Sequence, residues 1–207
     1  MALDLRALLA PHRTAVVTSE IQNGVVGARS ALPQLAESAQ PMIANAARLC
    51  VGARAAGAQV VHCLGARRAD GLGSNTNARL FLGVRKSPVA LLPGSPEASV
   101  VPELGPEPDD LVLTRLHGLN PMSGTDLDPI LRNLGVTTLV VTGVSVNVAV
   151  TNLVMDAVNL GYQVVVPRDA VTGIPQAYAD AVIDGTIALL ATVLTTDDVL
   201  AAWRDQP

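Results

Sequence analysis

This chain of 207 residues is apolar and weakly acidic. Hydrophobic residues make up 49% and charged residues 15% of it, the reverse of the balance that keeps a chain disordered. A formal net charge of −4 and an aromatic content of 2% argue against a basic or base-stacking surface, so we expect no nucleic-acid partner. The length suits one domain, and we interpret residues 1–207 as a single unit.

The sequence also limits the compartment and the cofactors. No uninterrupted run of 18 apolar residues occurs, so no membrane span or membrane partner is expected. Cys50 and Cys63 form no disulfide framework and are predicted to be core residues, which favours a reduced, cytoplasmic setting. No two histidines have metal-ligand spacing and no dinucleotide fingerprint is present, so we expect neither a metal nor a cofactor.

Short β-branched runs alternate with helical patterns along the chain. The predicted strands are residues 14–18, 59–64, 111–114, 138–142, 163–167 and 191–195. The predicted helices are residues 41–56, 126–134, 148–160 and 177–190, with a last helix that Thr196 would cap. This repeated βαβ pattern predicts a three-layer α/β/α fold with a doubly wound, mainly parallel six-stranded sheet. Residues 65–110 are rich in Gly, Pro, Ser and Asn and read as a long loop or lid, with a short helix near 77–82.

Ligands of such sheets bind where the strands end at their carboxyl edge. Glu20 and Gln22 follow the first predicted strand, and Glu20 is the only acid between Asp4 and Glu37. Arg115 follows the third strand and is a permanent cation, able to bind a carboxylate or to hold Glu20 ionised. Each of these residues, and His117 beside Arg115, could instead be an ordinary loop residue.

The segment GVSVNVA after the fourth strand resembles the turn that carries the nucleophile in serine hydrolases. That arrangement needs a histidine later in the chain, and no histidine follows Ser145. A serine triad is therefore not expected. The junction remains a helix N-terminus whose backbone N–H groups are available to an anion, with Ser145 and Asn147 beside them.

Over residues 13–198 the chain resembles the isochorismatase-like, or cysteine hydrolase, family. The resemblance rests on TAVVTSEIQNGVVG and on the segment from GTDLDPILRNLGVTTLVVTGVSVNVAV to VVVPRDAVTG. It implies the strand order 3-2-1-4-5-6, a cis peptide bond between Val144 and Ser145, and a homodimer or larger homo-oligomer. The family triad of Asp, Lys and Cys falls on Glu20, Arg115 and Ala149, so the nucleophile is missing here.

Two functions of different classes remain open. The first is a cysteine-independent hydrolase of a small anionic molecule. Glu20 would be its general acid or base and Arg115 its anion anchor, while the N–H groups of Ser145 and Ala149 would polarise an oxygen. We predict Ser145, Asn147, His117 and Gln22 as substrate-binding residues.

The alternative is a non-catalytic carboxylate-binding protein on the same fold, and a weaker idea is an interaction subunit of a catalytic homologue. For the hydrolase one conflict is unresolved. Acid catalysis needs a protonated Glu20, whereas an adjacent Arg115 favours the ionised form.

Overall fold

The sheet of this computed structural model, which describes residues 3–204, has six parallel strands in the order β3-β2-β1-β4-β5-β6. The predicted order is confirmed, and the sheet is parallel throughout. The strands are β1 (Thr14–Ser19), β2 (Gln59–Gly65), β3 (Leu111–Arg115), β4 (Thr138–Gly143), β5 (Gln163–Pro167) and β6 (Thr192–Leu194).

Helices cover both faces of the sheet. They are α1 (Leu5–Leu8), α2 (Pro33–Ser38), α3 (Gln40–Ala56), α4 (Arg79–Arg85), α5 (Leu127–Asn133), α6 (Thr151–Asn159), α7 (Gln176–Gly185) and α8 (Thr196–Arg204). A single π-helical turn, Val146–Val150, joins β4 to α6. Within residues 3–204, none of these helices combines the length and the apolar character that crossing a bilayer requires.

Alternation along the strands divides the core into two layers. Val16, Val60 and Val140 are register partners and face α3 and α8. Their neighbours Ala15, Val17 and the flanking residues of β2, β4 and β5 face α5, α6 and α7 instead. Both faces of the sheet are therefore buried, which explains why the inner strands appear in the sequence as mainly apolar runs. The end strand β3 alternates between partly buried and exposed residues, because helices cover it less completely.

The element boundaries differ from prediction in informative places. The predicted helix 177–190 ends at Gly185, followed by a 3₁₀ turn, and the predicted helix 148–160 begins with the π turn. Thr196 was expected to cap the last helix, but Thr195 does so: its Oγ1 accepts from the Asp198 N–H while Asp198 accepts from the Thr195 N–H. The Thr196 hydroxyl donates instead to Asp169, which follows β5.

Candidate functional site

The strand order reverses between β1 and β4, and this is the switch point at which doubly wound sheets bind ligands. Ser19 at the end of β1 is the register partner of Gly143 at the end of β4. Gly143 has φ of +111°, and a Cβ there would lie 2.2 Å from the Ser19 carbonyl oxygen. The absence of a side chain at Gly143 therefore lets the ends of β1 and β4 approach closely.

Glu20 follows β1 directly and meets Arg115, the last residue of β3. Its N–H donates to the Cys63 carbonyl in β2 (2.9 Å), and its φ of +54° is the one positive value among the non-glycine residues of 3–204. Nη2 of Arg115 donates to Oε1 of Glu20 in an ion pair whose side chains are 6% and 23% exposed, respectively. A left-handed backbone at a non-glycine residue is a feature that clusters at functional sites.

Gly65 at the end of β2 lies beside this pair. A Cβ there would lie 3.5 Å from Oε1 of Glu20 and 3.7 Å from both terminal nitrogens of Arg115. Nη1 of Arg115 is buried and has no hydrogen-bond partner among the described residues. Arg115 therefore carries a buried cationic N–H whose hydrogen bond is unsatisfied within the described residues.

The turn after β4 supplies the opposite side of the switch point. The Val144–Ser145 peptide bond is cis, as the resemblance implied. The Ser145 carbonyl accepts from the N–H groups of Val148 (3.0 Å) and Val150 (3.1 Å), while the Ser145 hydroxyl donates to Oδ1 of Asn147. Ala149 is buried within the same turn. The Val144 N–H donates to the Ser19 carbonyl (3.0 Å), which ties this turn to the loop that carries Glu20.

Gln22 is fully buried and its amide serves backbone groups. Its Nε2 donates to the carbonyls of Gly65 (2.9 Å) and Ala98 (2.8 Å), and its Oε1 accepts from the Gly65 N–H (2.8 Å). The structure thus joins Gln22 to β2 and to the far end of the predicted lid. Part of that lid, around Val100, pairs with Gln22 in an antiparallel bridge, so it packs directly against the Glu20 loop.

His117 is exposed, and its Nε2 lies 3.2 Å from the Gly124 carbonyl oxygen. Its own loop provides this contact, as the ordinary-loop interpretation expected. Substrate contact by His117, Gln22, Ser145 and Asn147 stays a prediction.

Asn120 was missed at the sequence level. It is buried, and its Nδ2 donates to Asp156 (3.0 Å) and to Asn152, both in α6. The spacing of Asn152 and Asp156, four residues apart on one helix face, was the available signal. Asn120 fastens the loop after β3 to the helix that follows the Ala149 turn.

A buried polar chain also runs from β1 through β2 to Asp110, the residue before β3. His62 in β2 has Nδ1 3.0 Å from the Thr18 hydroxyl and Nε2 3.3 Å from Asp110, and Asp110 accepts from Arg54 of α3 (2.6 Å). Burial lowers the pKa of His62, although Asp110 opposes the effect. Burial would raise the pKa of Asp110, but the Arg54 hydrogen bonds and the Glu107 N–H outweigh it and hold that pKa low.

Both cysteines lie in the core, as predicted, and burial raises the pKa of each thiol to about 12. Thiolate chemistry is therefore unfavourable at either position. Across residues 3–204, no three His, Cys, Asp or Glu side chains are grouped so as to hold a metal ion.

The fold and the site define the class of this protein: a parallel α/β/α protein with a polar site at the switch point of its sheet. Residues 14–198 match the model of the isochorismatase domain. The ureidoacrylate amidohydrolase RutB of Pseudomonas syringae pv. syringae is 30% identical over 77% of this chain and 71% of its own length. Its counterpart in Agrobacterium fabrum is 32% identical over 78% and 77%. The chain belongs to the isochorismatase family of hydrolases.

Solved structures show the same relationship. An isochorismatase family protein from Desulfovibrio vulgaris subsp. vulgaris str. Hildenborough superposes with a TM-score of 0.78 at 29% identity, covering 91% of this chain and 98% of that one. One from Burkholderia thailandensis gives 0.74 at 28% identity, with coverages of 93% and 96%. The shared fold therefore extends over nearly the whole chain.

Proposed function

We propose that this protein hydrolyses an amide-type bond in a small, carboxylate-bearing substrate without a nucleophilic cysteine. The observation that carries the proposal is the Glu20–Arg115 ion pair, in which Arg115 is buried and Glu20 is partly exposed; Nη1 of Arg115 has no acceptor among the described residues. A buried charged donor without a partner costs free energy, which a substrate carboxylate would offset by accepting its hydrogen bond. The relatives named ureidoacrylate amidohydrolase support both the bond type and the carboxylate.

Glu20 is the general base of this mechanism. Its carboxylate takes a proton from a water molecule while the water oxygen forms a bond to the substrate carbonyl carbon. The backbone N–H groups of Ser145 and Ala149 donate to the oxyanion that results. When the carbon–nitrogen bond breaks, Glu20 returns its proton to the leaving nitrogen, so the products are a carboxylic acid and an amine.

The ion pair favours base over acid catalysis. Oε1 of Glu20 accepts a hydrogen bond from Arg115, so the geometry supports a proton acceptor and not a proton donor at this position. The family resemblance also implies a cysteine-free route in some members, the acid-catalysed cleavage of the vinyl ether of isochorismate, and that route needs the protonated form. We therefore favour amide-type substrates over isochorismate.

A carboxylate-binding protein without catalysis is the second candidate. Ala149 offers no nucleophile, and the unpartnered Nη1 of Arg115 suits a bound anion whether or not a reaction follows. Both candidates use Arg115 in the same way, so binding alone does not separate them. They differ in whether Glu20 moves a proton.

Turnover separates the two candidates. The whole chain is incubated with ureidoacrylate and, separately, with isochorismate, and substrate loss is followed by chromatography while calorimetry measures binding of each compound. Catalysis on ureidoacrylate that Glu20→Gln abolishes supports the hydrolase. Binding without loss of either compound supports the binding protein, and catalysis on isochorismate alone contradicts the base mechanism.

We also propose the compartment and the assembly in which this hydrolase acts. Two buried, unpaired cysteines suit a reduced, cytoplasmic compartment. A single domain over residues 1–207 that assembles as a homo-oligomer is the form in which we expect the hydrolase to act.

A further inference from the structure

A buried asparagine, Asn120, connects the two halves of the candidate site. It lies five residues after Arg115. Its Nδ2 donates to Oδ1 of Asn152 (2.5 Å) and to Oδ2 of Asp156 (3.0 Å), and its Oδ1 accepts from the N–H of Met122 (2.6 Å). Both N–H bonds and the oxygen of this amide are engaged, which leaves the side chain a single orientation.

The elements that Asn120 joins lie far apart in the sheet. Arg115 ends β3, whereas Asn152 and Asp156 belong to α6, which follows β4 through the π turn. In the order β3-β2-β1-β4, β3 and β4 are three strand spacings apart, about 14 Å. Five residues reach at most about 18 Å, so the loop from Arg115 to Asn120 runs past the carboxyl ends of β2 and β1 with little slack.

Asp156 receives two hydrogen bonds from this loop. Besides Nδ2 of Asn120, the hydroxyl of Ser123 donates to its Oδ2 (2.7 Å). Hydrogen bonds to a carboxylate are roughly twice as strong as those between neutral groups, so the loop after β3 is held firmly on α6. The start of α6 is in turn tied to the π turn, because the Thr151 hydroxyl donates to the Val146 carbonyl (2.5 Å).

Each half of the site has a different part in the proposed mechanism. Arg115 offers its unpartnered Nη1 to the substrate carboxylate. The turn that contains Ala149 offers backbone N–H groups to the oxyanion. A shift of α6 relative to the loop after β3 would therefore change the spacing between these two groups.

We propose that Asn120 is a positioning residue, which fixes the distance between the carboxylate anchor, Arg115, and the oxyanion donors of the Ala149 turn. This inference rests on the proposed function. Asn120 acts through the loop on one side and through α6 on the other. A substrate held by Arg115 then presents its carbonyl oxygen to the N–H groups at the correct spacing. Misplacement by about 1 Å lowers a reaction rate by roughly 100-fold, while binding through Arg115 continues.

Exchanging the two partners tests this role. Asn120→Asp places a second carboxylate against Asp156 and opens the contact. For ureidoacrylate, kcat should fall about 100-fold while KM changes by less than about 3-fold. Adding Asp156→Asn restores the pair with donor and acceptor reversed, so kcat should return to within about 5-fold of the native value. Asp156→Asn alone keeps an acceptor oxygen and should lower kcat by less than about 5-fold.

Tyr162→Phe is the matched control. The Tyr162 hydroxyl donates to Oδ1 of Asp128 (2.9 Å) just before β5, at the amino edge of the sheet and therefore opposite the site. This variant also loses a hydrogen bond to a carboxylate, so its Tm should fall while its kcat stays native. Circular dichroism checks that every variant folds.

Hydrogen exchange gives a readout that does not depend on turnover. Exchange in residues 116–124 and 144–152 should be faster in Asn120→Asp than in the native chain, and native in the double variant, because the contact that ties these segments together is lost and then restored. Tyr162→Phe should leave exchange in both segments unchanged. Mass spectrometry of proteolytic fragments measures this for each segment.

The outcomes separate this inference from the proposed function. Native kcat in folded Asn120→Asp, a loss confined to KM, or a folded double variant whose kcat stays about 100-fold low overturns the positioning role. The double variant keeps the test decisive where Asn120→Asp does not fold. A native chain that leaves ureidoacrylate intact contradicts the proposed function instead. Hydrogen exchange then decides on Asn120, and native exchange in Asn120→Asp overturns its role.

Discussion

Replacing Glu20 with glutamine keeps the side chain nearly the same size and removes the negative charge that faces Arg115. If Glu20 is the general base, turnover falls by roughly 100-fold to 10,000-fold, the usual effect of losing such a group. That range corresponds to about 3–5 kcal/mol of transition-state stabilisation. Substrate affinity changes far less, because Nη1 of Arg115 can still donate to the substrate carboxylate. Arg115→Ala should do the reverse and raise KM more than it lowers kcat.

The same substitution also tests the ion pair. Glu20→Gln leaves the Arg115 charge, 6% exposed, without a counter-ion. Breaking a fully buried pair costs about 3–5 kcal/mol, and an exposed pair contributes about 0–1 kcal/mol. Glu20 is 23% exposed, and glutamine still accepts a hydrogen bond, so we expect an intermediate loss of roughly 2 kcal/mol. For a chain of this length that lowers Tm by about 4–8 °C.

Glu97→Gln is the matched control, because Glu97 (25% exposed) also pairs with an arginine at 2.7 Å, but that arginine, Arg29, is 57% exposed. Its Tm and its turnover should equal those of the native protein. Calorimetric melting and initial-rate kinetics on the same preparations give both readouts. Full activity in Glu20→Gln would refute the catalytic assignment, and an unchanged Tm would refute the energetic argument about the pair.

Three further outcomes are expected. Gly143→Ala places a Cβ 2.2 Å from the Ser19 carbonyl oxygen, at a residue whose φ is +111°. Urea titration should therefore show that the free energy of unfolding falls by at least about 3 kcal/mol. An unfolding midpoint equal to that of the native protein would contradict this. Burial lowers the pKa of His62, so the unfolded chain binds a proton at a higher pH than the folded one, and stability should decline as pH falls below about 6.5. In His62→Gln the free energy of unfolding should depend less on pH between about 7.5 and 5.5, whereas the control His117→Gln should behave like the native protein. Equal pH dependence in the native protein and both variants would argue against the role of His62. Iodoacetamide should label neither cysteine of the native protein and both in urea, with activity intact, and labelling of the folded protein would contradict their assignment to the core.

The topology was accessible from sequence because each inner strand is buried on both faces. β1, β2, β4 and β5 appear as short runs rich in β-branched residues, and their predicted limits lie within one residue of those observed. β6 was predicted two residues too long, since as a short end strand it is only partly buried. Strand order came from the family resemblance, not from periodicity.

The site was predicted less completely. Sequence located Glu20 and Arg115 at strand ends but could not decide whether they meet, because their contact depends on the register of three strands. The cap of α8 was misplaced by one residue for a similar reason. Thr195 and Thr196 are chemically equal candidates, and Asp169, distant in sequence, engages the second.

Gln22 has a consequence for how this protein can diversify. Its amide forms hydrogen bonds with backbone groups of Gly65 and Ala98, so one side chain holds together the two ends of the long loop between them. Extending a loop whose ends are already fixed costs little free energy, since the closure entropy grows only with the logarithm of its length. Insertions and deletions between those ends can therefore accumulate without displacing Glu20 or Arg115. Related sequences can therefore change the loop over the site, and with it substrate specificity, while the Glu20–Arg115 pair stays in place.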